Sequence, residues 1–541
     1  MSASVGQVGT LQAAASTYVT LDSLMDAVQE QCQQPINSLQ IAALLESAGV
    51  TDLIAQSRYG FSDVFNLAEA LYPELLSVTK PEKLLPEMAI SSDTWQERAS
   101  DYARGPLALL PIILLSFIIM NYQQFGQWGN GQVLALGISM LGSLLVTSGF
   151  VQGASRKGSS YLSQGYVNAA SRIILLIIGT SAGVVILTTL IGSGMLLLSG
   201  AISTGDIALI VIAYVVLSSI WLAAAVLFLL EQVVWFGISL GIGVGLSYAA
   251  LLILARFSIQ PSATLLVATG IGLIGFIATT ILIARRTFQQ RAAASPVGRH
   301  PAVLPPRSHL IVNLAPYFFY GVLYVTFILS GHIPGWLGRV PNTERITAIS
   351  SIEVGLALAL TGYILVGGVA EYTIRLFWKY VKNYQTQTPQ ANPQRFNQHL
   401  YEFFQREQAF FLRALVICSG LILLATLAYV QLTTRTGNLA LPWTSETTTV
   451  FLLGLIGYGV MAWGIFNCMF MITLSRPVKA IGAIIIGIIV TLIFGFPIGL
   501  IVSYSYAIAG MVVGSSVFAF VSNRWLKEML SHADYFYYAS F

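Results

Sequence analysis

The sequence predicts an all-α, polytopic membrane protein: about 12 transmembrane helices in two six-helix bundles, with a small helical N-terminal cytoplasmic domain ahead of them. Three observations carry that expectation. Long apolar stretches follow one another from Pro106 to Val521, and 55% of the 541 residues are hydrophobic while only 9% are charged. A charged share this far below the roughly 25% of soluble domains leaves too little polar surface to face water. Lys and Arg are also distributed unevenly between the loops on the two sides of the predicted spans.

Lipid offers backbone N–H and C=O groups no partner, so a crossing segment must be a helix of roughly 20 residues. The stretches that meet this requirement are 106–122, 131–151, 172–193, 207–230, 234–255 and 262–284, then 310–330, 347–369, 409–430, 449–474, 479–496 and 500–521. Only Glu231-Gln232 separates the fourth from the fifth, and only the Phe496-Pro497 region the last two, so each pair is open to a broken or re-entrant arrangement. With both termini on one side, Arg256, Arg339, Arg345 and Arg435 fall on the opposite side and the other 23 of the 27 Lys and Arg residues lie with the termini. The positive-inside bias then places both termini, and the loops 153–171, 285–309, 371–408 and 475–479, in the cytoplasm. The expected location is the inner (plasma) membrane.

Residues 1–104 are of another character, with thirteen Asp and Glu against five Lys and Arg. Apolar residues recur there at three- and four-residue spacing over Leu21–Val28, Ser38–Leu45 and Ser62–Leu71, which predicts short helices ending near Gly49 and Gly60. The segment reads as a small helical domain, as a docking module for a cytoplasmic partner, or as an acidic lid on the chain's own basic loops. No charged stretch leads into an apolar core at the start, so the first span is expected to serve as its own export signal. Residues 105–284 form the first bundle, 285–309 a basic linker with Pro296, Pro301, Pro305 and Pro306, and 310–541 the second bundle with its tail.

Catalytic signatures are missing from the sequence. It has no phosphate-cradling GxxxxGK[ST] loop and no HExxH, the five histidines lie far apart, and Cys32, Cys418 and Cys468 suggest neither a disulfide framework nor a metal site. Asp206 stands alone and reads as a helix N-cap. The expectation is therefore a protein that is not an enzyme, with no cofactor, no metal and no nucleic acid partner. Charged and aromatic residues within spans carry the functional argument instead. Glu353 lies about a turn and a half inside the eighth span and Arg413 about one turn inside the ninth; either reaches the interface by snorkelling or faces a wet path, where Arg413 would bind phosphate or sugar oxygens and Glu353 would carry a proton or pair with a cation. The seventh span combines Asn313, Pro316, Tyr317, Tyr320 and Tyr324, which form either an interfacial aromatic belt or a wall able to stack on sugar faces.

Two sets of six spans tied by a flexible link suit alternating access around a central site. Three stretches here resemble the MOP superfamily of flippases, nearest the Pel-type exopolysaccharide exporters. These are Gln152–Gly158 with Gly165–Arg172, the aromatic run Leu314–Gly321, and a long eighth helix through Glu371–Tyr380 together with the aromatic tail Asp534–Tyr538. The resemblance implies a twelve-helix exporter moving a polysaccharide or lipid-linked sugar, a glycan or glycolipid substrate in the bilayer, with a glycosyltransferase engaged through residues 1–104. A cation-coupled small-molecule (multidrug-type) antiporter and a non-transporting scaffold are the alternatives.

Overall fold

The computed structural model describes residues 21, 24–26, 28, 38–47, 49–78, 102, 130–200, 204–254, 256, 261–294, 306–340, 345–387, 393–436 and 443–538. Every regular element among them is helical. Eleven helices are long and apolar enough to cross a membrane, and they correspond to the second through twelfth expected spans. The first, 106–122, lies outside the described residues.

In the N-terminal domain, α1 (Ser38–Ser47) and α2 (Val64–Val78) pack through Ile41, Ala42, Leu45, Val64, Leu67 and Leu71, with Leu24 and Val28 added from the stretch before them. The chain turns at Gly49 and Gly60, whose φ values of 88° and 78° suit a residue without Cβ. Asp63 caps α2 by accepting the Asn66 N–H at 2.7 Å. That bond, above all, holds the Asp63 carboxyl below the ordinary carboxylate range.

The first lobe consists of α3 (Asn130–Ser163), α4 (Val167–Ser199), α5 (Thr204–Leu229), α6 (Val233–Leu254) and α7 (Pro261–Ala294). Between helices in lipid there is little hydrophobic drive, so close packing and polar contacts hold them. Ser139 Oγ reaches the Ile210 carbonyl at 3.1 Å, Trp221 Nε1 donates to Ser143 Oγ at 3.2 Å, and the Thr188 and Tyr214 hydroxyls meet at 2.8 Å. Asp206 sits in the first turn of α5 instead of at its cap.

The second lobe contains α8 (Arg307–Ser330), the one-turn α9 (His332–Trp336), α10 (Arg345–Gln387), α11 (Pro393–Thr436), α12 (Ser445–Thr473), α13 (Pro477–Ile501) and α14 (Ala509–Leu530), followed by α15 (Ala533–Tyr538). Its core is aromatic, with Phe377, Phe404, Phe411, Phe451, Phe466, Phe470 and Phe518 fully buried. Phe411 and Phe466 stack at 4.3 Å. By contrast, large apolar residues such as Leu198, Val416 and Ile501 are 90%, 73% and 76% exposed, which is the outer surface expected for helices solvated by acyl chains.

Two expectations about the loops change. Residues 153–171 and 371–408 are mostly helix, since α3 continues to Ser163, α10 to Gln387, and α11 begins at Pro393. Hydropathy marks where the apolar slab ends, whereas a helix satisfies its own amides and can continue into water. The last two spans are separate helices, and the break falls at 502–505, after Pro497 and not at it. Pro497 lies in the last turns of α13, so the twelfth span starts later than hydropathy suggests.

Candidate functional site

The lobes meet chiefly where α3 lies against α8. The crossing is tight because it is made at glycines: a Cβ on Gly149 would lie 2.6 Å from the Phe318 ring, and one on Gly321 would lie 2.5 Å from the Ser148 carbonyl oxygen. Phe150 meets Phe318 edge-on at 5.0 Å. On the face that carries the basic loops, Arg156 of α3 lies over the Tyr317 ring at 5.4 Å.

Toward the opposite face, α10 presents Glu353 to the first lobe. Its Oε1 accepts from Trp336 Nε1 at 2.8 Å and pairs with His332 Nδ1 at 2.9 Å. His332 Nε2 lies 3.2 Å from the Tyr458 hydroxyl of α12. With a neutral imidazole, Nδ1–H donates to the carboxylate and Nε2 accepts the Tyr458 O–H; an imidazolium donates at both nitrogens. The other oxygen, Oε2, faces the first lobe, 4.0 Å from where a Gly137 Cβ would be. About a fifth of the Glu353 side chain stays accessible, at 22%, against 5% for His332.

The fold explains this convergence. Helix α8 ends at Ser330, and α9 folds His332 and Trp336 back over the start of α10, where Glu353 points. From Tyr458 an aromatic file continues into the lobe. Its ring is 6.5 Å from that of Tyr363, the Tyr363 and Tyr324 hydroxyls meet at 2.5 Å, and Tyr324 stacks with Tyr320 at 6.4 Å. Tyr363 is ten residues beyond Glu353 on α10, about 15 Å of helix, so the file runs toward the middle of the membrane.

Of the six candidates drawn from the sequence, Glu353, Tyr320 and Tyr324 belong to this connected group. Tyr317 lies at the lobe contact under Arg156. Asn313 is exposed near the start of α8, beside the exposed Ile311 and Val312. Arg413 is exposed on the same stripe of α11 as Phe410, Ile417, Leu421 and Leu424. That stripe faces lipid, so the guanidinium belongs to the headgroup level and not to the lobe contact. His332, Trp336, Tyr363 and Tyr458 completed the group without having been singled out. His332 and Trp336 fall just past a hydropathic span, and nothing in linear spacing pairs Tyr458 with residue 332.

No family profile and no curated protein matches the chain, but solved structures share its fold. A MOP superfamily transporter from Pyrococcus furiosus, described by the reverse polarity of its binding pocket, superposes with a TM-score of 0.57 at 12% identity over 81% of this chain and 96% of that one. A MATE protein in complex with MaD5 gives 0.55 at 13% identity over 81% and 96%. A multidrug resistance MATE family transporter of the MOP superfamily in an outward-facing conformation gives 0.53 at 12% over the same shares. The likeness lies in the fold: the two-lobed helical architecture is that of MOP superfamily transporters.

Proposed function

We propose that the chain is a transporter and not an enzyme, that it works by alternating access between its two lobes in the inner or plasma membrane with both termini cytoplasmic, and that Glu353 couples proton movement to that cycle. The observation that carries this reading is the position of the Glu353 carboxylate. One oxygen is bound within the second lobe and the other faces Gly137 of the first. A charged carboxylate resists being sealed between apolar helices, while a protonated one does not. Proton binding at Oε2 therefore favours closure of the lobes over it, and release favours reopening. His332 and Trp336 hold the carboxylate in place, Tyr458 holds the far side of the imidazole, and His332 can relay the proton.

The cargo we propose is a polysaccharide or lipid-linked sugar moving outward, made by a glycosyltransferase that residues 1–104 would engage. The resemblance of Leu314–Gly321 to the Pel-type exporters supports it. The observation that favours a small-molecule antiporter instead is Arg413, whose lipid-facing stripe leaves no deep cation on the described lobe contact to meet a pyrophosphate.

The test has two parts. Purified protein in liposomes under a pH gradient should move protons when an amphiphilic cation is supplied or when a lipid-linked sugar is supplied, and Glu353→Gln should abolish that movement while keeping its fold. Deletion in the native cell should lower surface and released glycan; an unchanged glycan profile would move the assignment to the antiporter. Loss of function only on removal of residues 1–104, with Glu353→Gln fully active, would make the protein a scaffold.

A further inference from the structure

Among the described residues, two that are not glycine hold the left-handed backbone: Glu231 at φ 63° and Ser475 at φ 58°. Glu231 closes the turn between α5 and α6, and Ser475 the turn between α12 and α13. The two turns have the same hydrogen bonds. Glu231 N–H donates to the carbonyl three residues back at Phe228 and Gln232 N–H to Leu227, just as Ser475 N–H donates to Ile472 and Arg476 N–H to Met471. This is a Schellman-type helix ending, and its left-handed position usually falls to glycine because a Cβ there crowds the backbone. Counted by spans, one turn follows the fourth and the other the tenth, the same place in each six-span half.

Each turn is met by an arginine from the other lobe. Arg156, on the extension of α3 beyond the second span, donates from Nη2 to Ser475 Oγ at 2.5 Å. Arg375, on the extension of α10 beyond the eighth span, lies 3.6 Å from Glu231 Oε1. The second and eighth spans are again matching places in the two halves. Arg291 braces the first turn from its own lobe, donating to the Leu230 carbonyl at 2.9 Å and to Glu231 Oε2 at 3.4 Å.

We infer that Arg156–Ser475 and Arg375–Glu231 form a pair of latches, related by the repeat of the two halves, that hold the lobes together on the basic face. A glycine would fit either turn with less strain, so the side chain at φ above zero answers a need that the turn itself does not have: it supplies the group the opposite arginine grips. The inference rests on the alternating-access reading, because a latch matters only if the face opens.

The experiment uses full-length protein with Cys32, Cys418 and Cys468 changed to Ala, and spin labels at the exposed positions Tyr166 and Val478, one on each lobe. Distances are measured in lipid nanodiscs. Glu231→Gly and Ser475→Gly each remove a latch while easing the turn. Each should raise the ratio of long to short distances, by up to about fivefold for the surface ion pair at Glu231 and by a comparable factor for the hydrogen bond from Arg156 to Ser475, with no loss of thermal stability. The double variant should multiply the two effects. Ser475→Ala should open the face equally but lower stability, since it keeps the strain. If both distances occur and neither glycine variant, alone or combined, changes their ratio, the latches are refuted while alternating access stands. A single distance in every variant and at every pH would overturn alternating access and the latches with it.

Discussion

Placing a methyl group at Gly321 tests the lobe contact most directly. In Gly321→Ala the new Cβ would lie 2.5 Å from the Ser148 carbonyl oxygen and 2.9 Å from Gln152 Cγ, whereas ordinary contact begins near 3.4 Å. The carbonyl is part of the α3 backbone and cannot swing aside, so α8 must retreat by nearly 1 Å or the lobes must part. Overpacking of this kind costs about 1–3 kcal/mol. Because α3 and α8 belong to different lobes, the strain acts only while they are together. It should shift the closed-to-open ratio on the basic face by about 5-fold to 150-fold, the range those energies convert to. Each lobe keeps its own packing, so the cost should not appear as general unfolding. The assay is the distance between labels at Tyr166 and Val478, with Gly420→Ala as the control, since nothing lies within 4 Å of a Cβ there. If Gly321→Ala shows the same distances as Gly420→Ala, the α3–α8 crossing is not the closing contact.

Other outcomes follow from single side chains. Tyr324→Phe removes the hydroxyl that meets Tyr363 and should cost about 1 kcal/mol of stability, read as a lower melting temperature in detergent. Arg413→Gln should leave proton-coupled transport unchanged, because the residue lies on a lipid-facing stripe; a large loss of transport would place it on the substrate path after all. In the N-terminal domain, Asp63 has a folded pKa below its unfolded value, so its stabilising effect is complete above the unfolded value of about 3.9 and fades as pH falls through the lower, folded one. Protection factors for hydrogen exchange in α2, which divide out the intrinsic slowing of amide exchange in acid, should therefore fall at acid pH, and Asp63→Asn should remove most of that dependence.

Most of the architecture could be read from the chain because lipid imposes one rule on every crossing segment. The positions of the second through twelfth spans followed from hydropathy alone, apart from the start of the twelfth, where α13 runs on through Pro497. Helix ends outside the slab were hidden, since a helix like α10 pays nothing extra to continue into water and leaves no apolar mark there. Glu353 stood out because a charge within a span needs a reason. His332 and Tyr458 did not, since their meeting depends on how α9 folds back and on which face α12 turns inward, and both are set by packing at long sequence separation. The left-handed turns at Glu231 and Ser475 were equally silent, because neither residue type announces that conformation.

Helices α10 and α11 continue without a break from the bilayer to their tips, where only residues 388–392 join them, and Asn397 binds Asp534 of α15 with hydrogen bonds of 2.8 Å in both directions. Beyond the eighth predicted span, α10 projects about 27 Å. An unhinged rod of that length works as a lever. Every 10° that the second lobe tilts carries its far end about 5 Å sideways, so small rearrangements deep in the membrane are displayed, enlarged, at a distant point in the aqueous phase.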